Sequence, residues 1–287
     1  MQSLSARLHL DSPFDTAHQL VTSPFFSSRV LAGIRLSVAV YTLVTLVFSI
    51  VWGVVVQKNA AGFFSYFTHL TYSGICGYFF AAGVQTALYV RYGQKSYPLQ
   101  KWAKPWRFLH LTLLSTINAF PILVSIVFWG ILASSSTFDS RFDAWSAISV
   151  HALNSVFALF EIFFTNTPAP AWILLPFSLL MLIGYVGIVY ITYATQAFMV
   201  PYSFMNPNGH PGRLALYIIG IGVAECIIFS VVHGIIVLRQ RGVAKCLQSR
   251  RTDVTDEKSF SSSSPDHTVA WDTVDIDANP KDLKFEV

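Results

Sequence analysis

Apolar residues run through this chain in long blocks separated by short polar breaks. A helix needs about 20 mostly apolar residues to cross the hydrocarbon core of a bilayer. Six stretches meet that length: 33–56, 63–90, 109–134, 146–166, 172–200 and 213–238. The first, third and sixth are continuous apolar runs. The second is the least apolar, its first half reading FFSYFTHLTYSGICGY. The fourth is barely long enough and carries His151, Asn154 and Glu161. The pattern predicts an all-α fold, a polytopic membrane bundle of six transmembrane helices over 33–238, with an N-terminal segment 1–32 and a tail 239–287. Residues 1–28 hold no apolar core run and are interrupted by Asp11, Asp15 and His18, so no cleavable signal peptide is expected and the first span serves as the insertion signal.

Lys and Arg set the orientation of such a bundle. One side collects twelve: Arg7 and Arg29, five between Arg91 and Arg107, and five between Arg239 and Arg251. The other has only Lys58, Arg141 and Arg213. This asymmetry predicts that both the N and C termini are cytosolic, as an even number of spans requires. Residues 57–62, 135–145 and 201–212 then face the lumen or the exterior.

Composition agrees. Of 287 residues, 53% are hydrophobic and 12% charged, about half the usual charged fraction. This excludes a disordered chain and a coiled coil and argues against a soluble enzyme. Three cysteines exclude a disulfide scaffold. The net charge of +4 conceals a split, because residues 252–287 hold nine Asp/Glu against three Lys/Arg. That part of the tail is expected to be disordered. Its serines at 259 and 261–264 are possible phosphorylation sites beside the basic cluster 239–251.

Ionisable groups within spans are costly and mark function by default. His69, His151, Glu161, Glu225 and His233 stand there, with Thr68, Thr71, Asn118, Asn154 and Gln196 as neutral polar company. His110 and His233 lie near the cytosolic ends and are expected at the interface. His151, Asn154, Ala158 and Glu161 fall within an arc of about 80°, a stripe facing other helices, which serves either as helix–helix glue or as a site. Thr68 and His151 lie at similar depths, each about 8–9 Å into a span that runs inward from the outer side. A hydroxyl beside an imidazole is the minimum set for nucleophilic attack on an acyl group, with neutral His as the base. Thr71 shares the helix face of Thr68 and is the alternative nucleophile. His69 points elsewhere and reads as packing or interfacial. Glu161 lies about 15 Å along the helix from His151, too far to orient it. Asn118, Glu161 and Glu225 are structural or functional polar sites. No GxSxG, HExxH, Walker or GxGxxG motif occurs, and the histidines are too scattered for a metal site. The reading calls for no metal or cofactor and no nucleic-acid partner. The membrane is the expected surrounding, and protein partners are left open.

Four segments, SYFTHLTYSGICGYFF (65–80), AFPILVSIVFWGILA (119–133), HALNSVFALFEI (151–162) and GYVGIVYITYATQAFMVPYSFM (184–205), resemble in order and spacing the androgen-induced and androgen-dependent membrane proteins. Animal members are described as intramembrane threonine hydrolases that cleave fatty acid esters of hydroxy fatty acids. The resemblance implies His151 as the catalytic His and Thr68, or alternatively Thr71, as the nucleophile. Asn154 becomes a candidate oxyanion donor or substrate-binding residue. The chain departs from the animal pattern at Ala147 and Ile148, where an Asn-His pair stands, and at Thr71, where Asp or Asn stands. The endoplasmic reticulum or another endomembrane is the expected location. Two rival functions differ in kind: a non-enzymatic membrane protein that binds lipid or partner proteins, and a transporter using Glu225 and Glu161.

Overall fold

The computed structural model describes residues 5, 8, 10–58, 60, 62–196, 199–206 and 211–262, with side chains as far as 243. The chain is all-α, and among the described residues no strand forms. The main helices are α1 (Ser28–Val55), α2 (Phe67–Arg91), α3 (Lys104–Val127), α4 (Arg141–Ile148), α5 (Asn154–Phe164), α6 (Leu175–Thr195) and α7 (Pro211–Ser262). A π-helical turn, Phe128–Leu132, continues α3, and another, Ser149–Leu153, joins α4 to α5. Five of the resulting helical rods are long and apolar enough to cross a membrane: Ser28–Val55, Lys104–Leu132, Arg141–Phe164, Trp172–Thr195 and Pro211–Val243. The chain therefore has the make-up of an integral, multi-pass membrane protein. α2 has the length but not the apolarity.

Several helices begin before the apolar stretches do, because local chemistry sets their ends. The Ser27 hydroxyl accepts from the Val30 N–H, and that of Ser140 from the Asp143 N–H at 3.0 Å. Pro105 opens α3, where a missing N–H costs nothing. α7 runs past Thr252, where composition predicts disorder, because no Gly or Pro stands between Gly242 and Pro265 to break it. The rest of the acidic tail, 263–287, lies outside the described residues, as do the side chains of the tail serines. Residues from Ala244 onward form a unit separate from Met1–Val243.

Within the first unit α3 is the axis. Of its most apolar window 61% is buried, against 22% for the α6 rod and 28% for α1. α1 and α2 form an antiparallel pair packed along most of their length. Gly83 permits this closeness, since a Cβ there would stand 2.8 Å from Leu36 Cδ2 and 3.2 Å from the Leu36 backbone N. The stretch 10–32 is no free arm: Leu10, Phe14, Leu20 and Val21 are buried in the main core with Tyr97, Leu99 and Leu174. Arg107 holds it, donating to the Leu10 and Gln100 carbonyls at 2.6 Å and lying over the Phe14 ring. Tyr97 donates to the Asp15 carboxylate, which also caps the Gln19 and Leu20 N–H groups.

At the centre of this end lies a fully buried ion pair. Arg35 in α1 and Glu161 in α5 are 0% exposed and meet in a two-pronged contact at 2.8 and 2.7 Å. The remaining polar atoms are also engaged. Arg35 donates to the Leu20 carbonyl and to Thr86 Oγ1, both at 2.8 Å, and the Tyr78 hydroxyl donates to Glu161 at 3.1 Å. Removing one member strands a buried charge, which costs about 3–5 kcal/mol. Arg35→Met and Glu161→Gln should each lower unfolding stability in detergent by that amount, and the double substitution should recover most of it. Single losses below about 1 kcal/mol, the range of exposed pairs, would show that the pair does not hold the bundle.

Candidate functional site

The polar arc on the fourth predicted span divides. Asn154, Ala158 and Glu161 are buried on one face of α5. His151 falls in the π-helical turn before it, half-buried, because the wider turn changes the angular step along the rod. The backbone of the turn is pinned to α3. The His151 carbonyl accepts from Ser125 Oγ and from Trp129 Nε1 at 3.0 Å. Ser125 Oγ also lies 2.6 Å from Ser155 Oγ, which donates to the Pro121 carbonyl at 2.9 Å. The His151 imidazole stacks face to face on Phe128, ring centres 3.5 Å apart, and its Nδ1 is buried with no hydrogen-bond partner. Two π-helical turns, one from each rod, thus meet through this ring pair.

Thr68 stands in the first turn of α2 and is buried. It lines an apolar cavity of about 250 Å³ whose walls include Leu123 and Phe128 from α3, Leu182 from α6 and Ile221 from α7. Phe128 therefore both lines the cavity and covers His151. Tyr202 lies on the same cavity wall as Thr68. Burial pushes this phenol above its ordinary value, which keeps it a neutral donor.

The other predicted residues are placed as follows. Thr71 donates to the Thr68 carbonyl at 2.9 Å and lines a different cavity. His69 stacks on Phe63, ring centres 3.8 Å apart, with Nδ1 donating to the Phe63 carbonyl at 2.7 Å. Asn154 is turned into the helix contact: its Oδ1 accepts from the Ser155 N–H at 2.7 Å and from Ser125 Oγ at 3.1 Å, and its Nδ2 points to the Pro121 carbonyl at 3.4 Å. Glu161 is held by Arg35. Asn118 and Glu225 are fully buried, with side-chain polar atoms that find no partner among the described residues. His110, expected at the interface, is buried beside Tyr78 within the bundle. His233 donates to the Pro170 carbonyl at 2.9 Å. No group of three His, Cys, Asp or Glu among the described residues could hold a metal ion.

Sequence reasoning passed over Arg35, although it lies two residues inside the first predicted span. Its signal was legible: an Arg near the basic end of one span requires a carboxylate at matching depth, and Glu161 supplies it. Phe128, Trp129 and Tyr202 had no comparable signal, since an aromatic residue in an apolar chain does not reveal what it stacks on. No protein-family model, curated protein or solved structure matches the chain.

Phe128 is the shield of the imidazole. Replacing it with Ala should raise the rate at which diethyl pyrocarbonate modifies His151 several-fold, read by peptide mass spectrometry against the His69 peptide as internal reference. An unchanged rate would place the barrier elsewhere.

Proposed function

We propose that this protein is an intramembrane hydrolase of lipid esters, with Thr68 as nucleophile and His151 as base. The observation that carries this reading is that Thr68 lies on the wall of an apolar cavity and the Phe128 ring of that same wall is stacked on His151. When Phe128 turns aside, the imidazole gains access to the cavity. Thr68 Oγ then attacks the ester carbonyl as His151 takes its proton. The tetrahedral intermediate collapses, the C–O bond to the alcohol breaks, and the alcohol leaves with the proton from His151. Water, deprotonated by His151, attacks the acyl-threonine and releases the acid with Thr68 restored. Developing negative charge on the carbonyl oxygen needs donors. The Thr68 N–H and the Tyr202 hydroxyl, both from residues of the cavity wall, are the candidates, since the Asn154 amide serves the α3–α5 contact. The resemblance to the androgen-induced family points to fatty acid esters of hydroxy fatty acids as substrates.

The topology belongs to the same proposal. α2 is 25 residues long, about 37 Å, and runs antiparallel beside α1. With it as a sixth span, both termini lie on the side that collects the Lys and Arg residues, the cytosol, in the endoplasmic reticulum or another endomembrane. Polar residues in α2 are tolerable in a bilayer because many of them turn inward: Thr68, Gln85 and Thr86 are all buried.

The second reading, a non-enzymatic lipid-binding protein, is favoured by one observation: Phe128 covers the imidazole. Hydrolysis of a panel of lipid esters by purified protein in detergent separates the two. The hydrolase loses activity by about a thousandfold or more in His151→Ala and in Thr68→Ala, each folded by thermal melting, and retains it in Thr71→Ala. Loss in Thr71→Ala instead would transfer the nucleophile. Cleavage surviving all three substitutions would end the Thr/His mechanism, and no cleavage by folded wild type would favour the binding protein.

A further inference from the structure

Two cavities adjoin at the first turn of α2. The first, containing Thr68, lies between α3, α6 and α7. The second, about 390 Å³, lies between α2, α3 and α6 and contains Thr71, Gly74 and Leu113. They share two residues, Phe67 and Tyr185. A wall of three rings stands at the junction, with Phe67 5.3 Å from Phe120 and 5.0 Å from Tyr185 between centres, both tilted in the manner of favourable aromatic pairs.

The three rings are not held equally. Phe120 lies within α3 and is 5% exposed. Tyr185 lies within α6, is 7% exposed, and is anchored by its hydroxyl donating to the Ser65 carbonyl at 3.0 Å. Phe67 is half-buried, is the first residue of its helix, and follows a residue in extended conformation. Only this ring combines partial exposure with a helix-end backbone, so it is the leaf that moves.

We propose that Phe67 is a specificity-determining gate between two chambers of one lipid site. Closed, it confines a ligand to the Thr68 chamber. Open, it admits a second apolar chain into the chamber between α2, α3 and α6. Because Phe67 precedes Thr68, the gate sits at the point where an ester attacked by Thr68 divides into acyl and alcohol parts. With the acyl chain in the Thr68 chamber, the gate selects on the alcohol part. Gly74 offers an independent control on the far chamber. A Cβ there makes only ordinary contact with Leu113 Cδ1, at 3.8 Å, so a larger side chain grows into the cavity.

In its catalytic form this inference rests on the hydrolase reading. The test compares cleavage of methyl palmitate with cleavage of palmitate esterified to a long-chain hydroxy fatty acid, by full-length protein in detergent. Phe67→Ala, or the milder Phe67→Leu should Ala fail to fold, raises the ratio of two-chain to methyl ester by about tenfold, the scale on which an apolar pocket discriminates. Gly74→Leu lowers that ratio by a similar factor. Ratios equal to wild type in both kinds of variant overturn the gate. If the wild type cleaves neither ester, the hydrolase reading fails by itself. The gate is then read by photolabelling with a diazirine-bearing C16 fatty acid. Labelling of Leu113 and Met181, both on the far chamber, rises in the Phe67 variant and falls in Gly74→Leu, whereas labelling unchanged in both overturns it.

Discussion

The bundle depends on one buried ion pair. Arg35 and Glu161 are 126 residues apart in the chain, and neither charge touches solvent. An unpaired charge in such surroundings is costly enough that the two must meet. Their meeting fixes the depth and rotation of α1 against α5. Thr86 and Tyr78 then fasten α2 to the pair, and the Leu20 carbonyl brings in the N-terminal segment. α7 is tied to the same region, since Arg239 donates to the Ile162 and Thr167 carbonyls just beyond Glu161. Apolar packing alone would leave these rods freer to rotate, because lipid tails solvate an apolar face about as well as another helix does.

The pair anchors one end of α5, and the π-helical turn adjusts the other. With Glu161 held, the rod has little freedom to turn His151 toward the cavity by rotating as a whole. The widened turn Ser149–Leu153 changes the direction of the imidazole locally, and α3 answers with a π-helical turn of its own that delivers Phe128. Ser125, Trp129 and Asn154 stitch the two rods beside these turns. The ion-paired end of the bundle and the end that carries His151 are thus distinct, the first fixed by a buried pair and the second shaped by two π-helical turns.

Much of the membrane architecture was legible in the sequence. Five of the apolar stretches became long apolar helices, and the stretch marked as least apolar became the helix that fails on apolarity while keeping its length. Thr68 and His151 were singled out from residue type and depth; in the structure Thr68 lines a cavity with Phe128, and Phe128 stacks on His151. The role of Asn154 was not legible, because an amide on a helix face serves an oxyanion or a neighbouring carbonyl equally well. Only the position of Pro121 and Ser155 shows that it bonds across to α3. The N-terminal segment reads as a cytosolic stretch without an apolar run, yet Leu10, Phe14 and Leu20 are spaced to dock as single anchors, a pattern with no helical or strand period to reveal it.

By itself the sequence determined the helical class, the approximate spans and the charge asymmetry across them. These are local properties, set by runs of apolar residues, by capping side chains and by where Lys and Arg fall. The tertiary structure decided which charge pairs with which, which ring covers His151, and that Thr68 and Thr71 face separate chambers. Those outcomes depend on the rotation and depth of each helix relative to its neighbours. In a chain whose lipid-facing and helix-facing residues are both apolar, hydrophobic periodicity carries little information about rotation, and only the few polar contacts that must be satisfied inside the bundle supply it.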